Sequence, residues 1–273
     1  MPALTDLDSR IASDPSWQSI YERNLLHAEY AAANMHLVHV SGHFMAFEEL
    51  FASGCLEIPT SDASTGYCSE TARASEQAHG LKSSAYFYAG RACPEFGPVA
   101  LAFPPECEKD RKGSATPYDT GGLFCGCIRW SLPDYDPATL AKFTEESIFD
   151  LKNWRVDFKK YLAAFFHPLQ AYWSGRPWQD DPDGLFQAPN SWRAWVFEVR
   201  FDKGPDWLSA SAWCARPDQA DLLYEAAEQH PPLGSQHSHL QLFIETVLEL
   251  MPGGSPYYCE EIEDWVRREV RLS

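Results

Sequence analysis

The sequence predicts a mixed α+β fold, and three observations carry that expectation. Amphipathic helical stripes and alternating strands are interleaved along the 273 residues, yet they follow no regular strand–helix–strand repeat, which disfavours a doubly wound parallel sheet. Ten tryptophans and sixteen phenylalanines supply ample apolar surface for a packed core and argue against disorder. No internal repeat, low-complexity tract or linker divides the chain, so residues 1–273 read as one domain.

Residues 15–34 form the first expected long helix, with Trp17, Ile20, Tyr21 and Leu25 spaced as a buried stripe. Residues 35–40 read as a strand. A second helix is expected at 42–53, with Phe44, Phe47, Leu50 and Phe51 at helical spacing and Gly54 just past its end. Residues 81–88 and 98–103 read as strands joined by the turn-rich segment 90–97. The stretch 137–173 is mostly helical by pattern and bears Phe143, Trp154, Phe158, Tyr161 and Phe165. Residues 192–201 make the clearest strand: Trp195, Phe197, Val199 and Phe201 alternate against Val196, Glu198 and Arg200. A surface helix is expected at 217–229. Residues 236–251 carry a full helical stripe in Leu240, Phe243, Ile244, Val247 and Leu248, which stops at Pro252-Gly253-Gly254. A loop rich in Gly, Pro and Tyr follows, and a strand opens with Glu261, placing Glu263 on the same face.

Composition excludes several classes. A formal charge of −17 repels a phosphate backbone from the average surface, although Arg267, Arg268 and Arg271 cluster late in the chain. No apolar run approaches the roughly 20 residues that span a bilayer, and the acidic start Met-Pro-Ala-Leu-Thr-Asp-Leu-Asp lacks the pattern of a signal peptide. Eight cysteines scattered over so long a chain read as reduced thiols of a cytoplasmic protein. Cys125-Gly-Cys127, His36, His39, His43, His237 and His239 form neither a C-x-x-C pair nor an H-E-x-x-H helix, so no metal is expected. The turn Thr116-Pro117-Tyr118-Asp119-Thr120-Gly121-Gly122 lacks the Gly-Lys-Ser/Thr ending of a triphosphate loop. Local side-chain to backbone bonds explain such a turn; its other reading is a ligand loop with Asp119 as a polar contact.

His39 closes the strand of Leu37-Val38-His39-Val40-Ser41 just ahead of a helix, a position more often structural than functional when taken alone. Its company changes the reading. The segment Leu50-Phe51-Ala52-Ser53-Gly54-Cys55-Leu56 follows, then Ser83-Ser84-Ala85-Tyr86-Phe87-Tyr88-Ala89-Gly90-Arg91, then the late loop and its Glu strand. In that order these motifs resemble the ADP-ribosyltransferase toxins, in particular the DNA-modifying DarT type. The resemblance implies a split β-sheet core with flanking helices and a helical insertion over about 137–185. It also implies NAD as substrate. His39 and Ser41 would bind the nicotinamide ribose and amide, Tyr86 or Tyr88 would pack on the nicotinamide, and Arg91 and Asp119 would add contacts. Glu261 would hold the ribose 2′-hydroxyl. Ser41 stands where the family more usually has Thr, and the aromatic segment is one residue shorter before Arg91. The family's last strand reads Glu-aliphatic-x-aliphatic; Glu261-Ile262 begins that pattern and Glu263-Asp264 departs from it. Read instead as a Glu-x-Glu pair, the same residues make Glu263 catalytic.

The function so implied is a bacterial toxin, effector or defence protein, cytoplasmic or delivered into a target cell. It would cleave the nicotinamide–ribose bond of NAD and pass ADP-ribose to a macromolecular acceptor, protein or nucleic acid, under the control of an antitoxin or immunity protein. NAD hydrolysis by the same site is one alternative. The other is a catalytically silent immunity or interaction protein with an aromatic groove. His39, Tyr88 and Glu261 are expected to line one cleft.

Overall fold

A computed structural model describes residues 7–41, 57–61, 70–90, 99–124, 138, 141–142, 144–145, 148–172, 195–206, 209–210 and 212–215. The fold is mixed α+β, with antiparallel strand pairing. The chain divides into two compact units. Unit 1 takes 1–34, 59–86 and 111–202; unit 2 takes 35–58, 87–110 and 203–273.

Unit 1 begins with α1 (Leu7–Ser13) and α2 (Pro15–Asn34). Asp14 starts α2: its Oδ1 accepts from the backbone N–H of Ser16 at 2.8 Å and of Trp17 at 3.2 Å, and Pro15 occupies the first turn, where a missing N–H costs nothing. The expected bounds of this helix agree with the structure, but its buried stripe differs. Trp17, Asn24, Ala28, Ala31 and Ala32 are buried, whereas Ile20, Tyr21 and Leu25 are half-covered. The alanines let α5 (Trp154–Phe165) approach closely, and the two helices are tied by their polar atoms. Trp17 Nε1 donates to the Ala164 carbonyl at 2.8 Å, and Asn24 Nδ2 donates to the carbonyls of Ala163 and Phe166 at 3.3 and 3.0 Å.

Between α2 and α5 the chain supplies α3 (Glu70–His79), β4 (Gly113–Thr116), α4 (Thr120–Phe124) and β5 (Phe149–Asp150). Helix α3 ends on Gly80 at φ +67°, with Leu81 N donating back to the Glu76 carbonyl at 2.8 Å, a termination that needs the left-handed residue. The stretch expected to be mostly helical contains β5, which pairs with β4. Ser114 lies opposite Asp150 and Ala115 opposite Phe149. On the other side of β4 runs β6 (Glu198–Phe201), with Gly113 opposite Phe201 and Thr116 opposite Glu198. A Cβ on Gly113 would overlap the Arg200 carbonyl, so only glycine lets β4 and β6 close up there.

Unit 2 is built on β1 (Leu37–Ser41), flanked by β2 (Ala85–Ala89) and β3 (Val99–Phe103); β7 (Ala212–Ala215) extends the sheet beyond β3. Strand β2 starts in unit 1 with Ala85 and Tyr86 and continues in unit 2 from Phe87. Leu37, Phe87, Ala89, Leu101 and Phe103 are buried on one face, with the Phe87 and Phe103 rings edge to face at 5.4 Å, and Val38, Tyr88, Ala100 and Ala102 are buried on the other. Elsewhere in the unit, Ile58 N donates to the Pro205 carbonyl at 2.9 Å, and Lys203 pairs with Glu57 at 2.6 Å. The expected helices at 42–53, 217–229 and 236–251, and the strand at Glu261, lie outside the described residues.

Candidate functional site

Strand β6 has two unlike faces because successive side chains point in opposite directions. Phe197, Val199 and Phe201 share one. Phe197 there meets Phe158 at 5.0 Å, Tyr161 at 5.5 Å and Phe149, nearly parallel, at 5.7 Å. Glu198 and Arg200 share the other, and the sheet neighbours opposite them are Thr116 and Ser114. Both charged residues are dry, Glu198 1 % and Arg200 0 % exposed.

Glu198 is held by one residue 78 positions earlier. Thr120 Oγ1 donates to its Oε1 at 2.8 Å, and the Thr120 backbone N–H donates to its Oε2 at 3.2 Å. The polar turn brings Thr120 there. Thr116 Oγ1 donates to the Tyr118 carbonyl at 3.0 Å, and Asp119 caps the short α4 by accepting from Gly121 N at 3.1 Å. Local side-chain to backbone bonds thus shape this turn, and the Asp119 charge adds to the forces acting on Glu198. Burial pushes the Glu198 carboxyl up to about 8; the Arg200 guanidinium and the two Thr120 bonds oppose that rise, while Asp119 reinforces it. Arg200 Nη1 stands 3.5 Å from Glu198 Oε1, a Coulombic contact, yet among the described residues its Nε, Nη1 and Nη2 have no hydrogen-bond partner.

Helix α3 fastens the start of β2 through Glu76 and the polar turn through His79. Its Glu76 Oε1 accepts from Tyr86 Oη at 2.8 Å and from Ser84 N at 3.0 Å, and Oε2 accepts from Ser61 Oγ. Three residues on, and hence on the same side of the helix, buried His79 reaches the Thr120 carbonyl with Nε2 at 3.1 Å and Thr144 Oγ1 with Nδ1. A carbonyl only accepts, so in the neutral ring Nε2 carries the proton and donates to Thr120, and Nδ1 accepts a hydrogen bond from the Thr144 hydroxyl. The Tyr86 phenol is driven well above the ordinary tyrosine range, first by burial and then by the carboxylates of Glu198 and Glu76.

Of the residues expected to bind NAD, Tyr86 and Asp119 thus converge on Glu198, both within its electrostatic reach. Tyr88, Ser41 and His39 belong to unit 2. Tyr88 is buried opposite Val38, and Ser41 lies opposite Val99 at the end of β1. His39 lies opposite Leu101 and its ring sits 5.4 Å from that of Phe87, on the side of the strands away from Tyr88. A single cleft facing both His39 and Tyr88 is therefore corrected: strand alternation turns the two side chains to opposite faces. Arg91, Glu261 and Glu263 lie outside the described residues. Glu76, Thr120, Glu198 and Arg200 were not singled out from the sequence. The available signal was Glu-x-Arg inside the clearest strand, with apolar Val196 two residues earlier on the same side, a poor fit to a solvent face.

Among the described residues no group of three or more His, Cys, Asp or Glu side chains is arranged to hold a metal ion, and no helix is long and apolar enough to cross a membrane. Cys107 carries a thiol rather than half of a disulfide. Compared with known proteins, the chain matches no family model, no curated protein and no solved structure.

Proposed function

We propose that this chain is an NAD-consuming ADP-ribosyltransferase of the toxin, effector or defence kind, acting on a macromolecular acceptor, with Glu198 as its catalytic carboxylate. The supporting observation is Glu198 itself: a buried carboxyl at the head of a strand, oriented through both oxygens by Thr120 and electrostatically coupled to Tyr86 of the aromatic segment. Glu198-Val199-Arg200-Phe201 also begins Glu-aliphatic and carries an apolar residue, the aromatic Phe201, at the fourth position, where Glu261-Ile262-Glu263-Asp264 has an acid. In this reading the C–N bond to nicotinamide breaks with its electrons leaving on the nicotinamide nitrogen. The ionised form of Glu198, populated as pH rises through about 8, stabilises the positive charge left on the ribose, and the acceptor's proton passes to that carboxylate as the acceptor's nucleophile takes the anomeric carbon. Tyr86 offers the aromatic wall. His39, Ser41 and Arg91 hold their roles through the resemblance alone.

The test is nicotinamide release and label transfer from labelled NAD, with and without cell lysate, for wild type and for Glu198→Gln, Glu261→Gln and Glu263→Gln. Loss of about 10²-fold or more in Glu198→Gln alone is the expected result, since Gln keeps the size and an oxygen but not the charge. Loss confined to a Glu261 or Glu263 variant moves the catalytic role to the C-terminal strand. Free ADP-ribose without transfer makes the protein a glycohydrolase. The dryness of Glu198 and Arg200 favours the second reading, a catalytically silent protein with an internal polar support, and wild type that releases no nicotinamide establishes it over the first.

A further inference from the structure

We infer that Arg200 anchors a buried oxyanion subsite on the polar face of unit 1, one that receives the phosphoryl or carboxylate group of a small molecule. A guanidinium offers five N–H donors in a rigid fork suited to two oxygens of one anion. In Arg200 all three nitrogens that carry those donors are removed from water and, among the described residues, without a hydrogen-bond partner. Burying a charge in that condition is strongly unfavourable, and a side chain as long as arginine reaches solvent whenever packing allows.

The neighbouring carboxyls do not complete the fork. Glu198 comes within 3.5 Å of Nη1, but Thr120 directs both of its oxygens. Glu76 gives its oxygens to Ser61, Ser84 and Tyr86, and Asp119 Oδ1 takes the Gly121 N–H. What suits the fork is a group with two coplanar or tetrahedral oxygens, bound in the bidentate manner that singles arginine out from lysine. Raised toward neutrality by burial, the Glu198 carboxyl can present an O–H to the same anion instead of repelling it. Structural support alone is the competing role. A purely supporting arginine has its N–H groups bonded to carbonyls or carboxylates, as Arg73 Nε and Arg155 Nη1 do here with the carbonyls of Ser61 and Ala32.

The test uses the full chain, with chloride matched for ionic strength. Orthophosphate and pyrophosphate probe a phosphoryl source; acetate and succinate probe a carboxylate source. One class at millimolar concentration should raise the melting temperature of the wild type by a few degrees. It should also shift one arginine Nε–H resonance in a ¹⁵N spectrum, the one missing from Arg200→Lys. Arg200→Met should lose the response while melting at or above the unliganded wild type, because an uncompensated buried charge has been removed. No response to either class beyond chloride, or a response that persists in Arg200→Met, overturns the inference. Should Arg200→Met not fold, the wild-type resonance decides: movement with an oxyanion upholds the site, and no movement refutes it. Oxyanion binding by a protein that releases no nicotinamide from NAD leaves this site standing while the transferase reading falls.

Discussion

On one side of β6, Phe197 packs on aromatic rings of α5 and β5, with Val199 and Phe201 buried on the same side; on the other, buried Glu198 is bonded by Thr120 of the polar turn and Arg200 is buried beside it. Both sides exclude water, but by different physics. The aromatic side gains from area removed from water and from ring contacts at 5.0 to 5.7 Å, which tolerate small changes of angle. The polar side gains little net energy from each hydrogen bond and loses heavily when one partner is removed. Stability therefore resides mainly in the first face, and chemical capability in the second, where a carboxyl, a guanidinium, a phenol and an imidazole are held in fixed relation.

Three changes test that division. The largest loss is expected from Phe158→Ala on the aromatic side, since Phe158 is fully buried among Trp154, Tyr161, Tyr172 and Phe197. Denaturant unfolding should show a loss of about 3–5 kcal/mol. A loss under ~1 kcal/mol would mean that the ring cluster is not the core of unit 1.

Next comes pH. The folded-state value of Glu198, about 8, lies above its ordinary 4.5. The folded form therefore binds a proton that the unfolded form releases, and the stabilising contribution is complete below about 4.5 and is lost as pH rises through about 8. The denaturation midpoint of the wild type should fall over that window, and Glu198→Gln should flatten the fall. A midpoint that rises instead, with the variant following the wild type, would show Glu198 to be ionised and stabilised by Arg200. Thr120→Val should have the smallest effect, about 1–3 kcal/mol, because the backbone N–H still holds Glu198 Oε2. It should also move the pH-dependent fall upward, since the lost hydroxyl bond favours the charged carboxylate. An unchanged pH profile would separate Thr120 from the titration.

Local chemistry made much of the scaffold readable. Asp14 and Pro15 mark the start of α2, the apolar runs before Ser41 and through Phe103 mark β1 and β3, and the alternation ending at Phe201 marks β6. Helix α3 escaped because its buried residues include Ser75, Glu76 and His79, and a periodicity search looks for apolar side chains. Strand β4, Gly-Ser-Ala-Thr, escaped because Thr116 alone among its residues is of the branched or aromatic kind that identifies strands; its small side chains fit a close approach to β6.

For the site, the sequence by itself determined which residue types could act and the face of the strand on which Glu198 and Arg200 lie. A period of two assigns sides without saying what covers them. Only the tertiary structure decided that the charged side of β6 would be sealed, with Thr120 arriving from 78 residues away and Tyr86 and His79 from farther still. The physical reason is that burial sets the energy of a charge. Glu198 in water is an ordinary acid; Glu198 buried against the polar turn is a proton-holding group beside a guanidinium, and that difference arises from packing among segments distant in the chain.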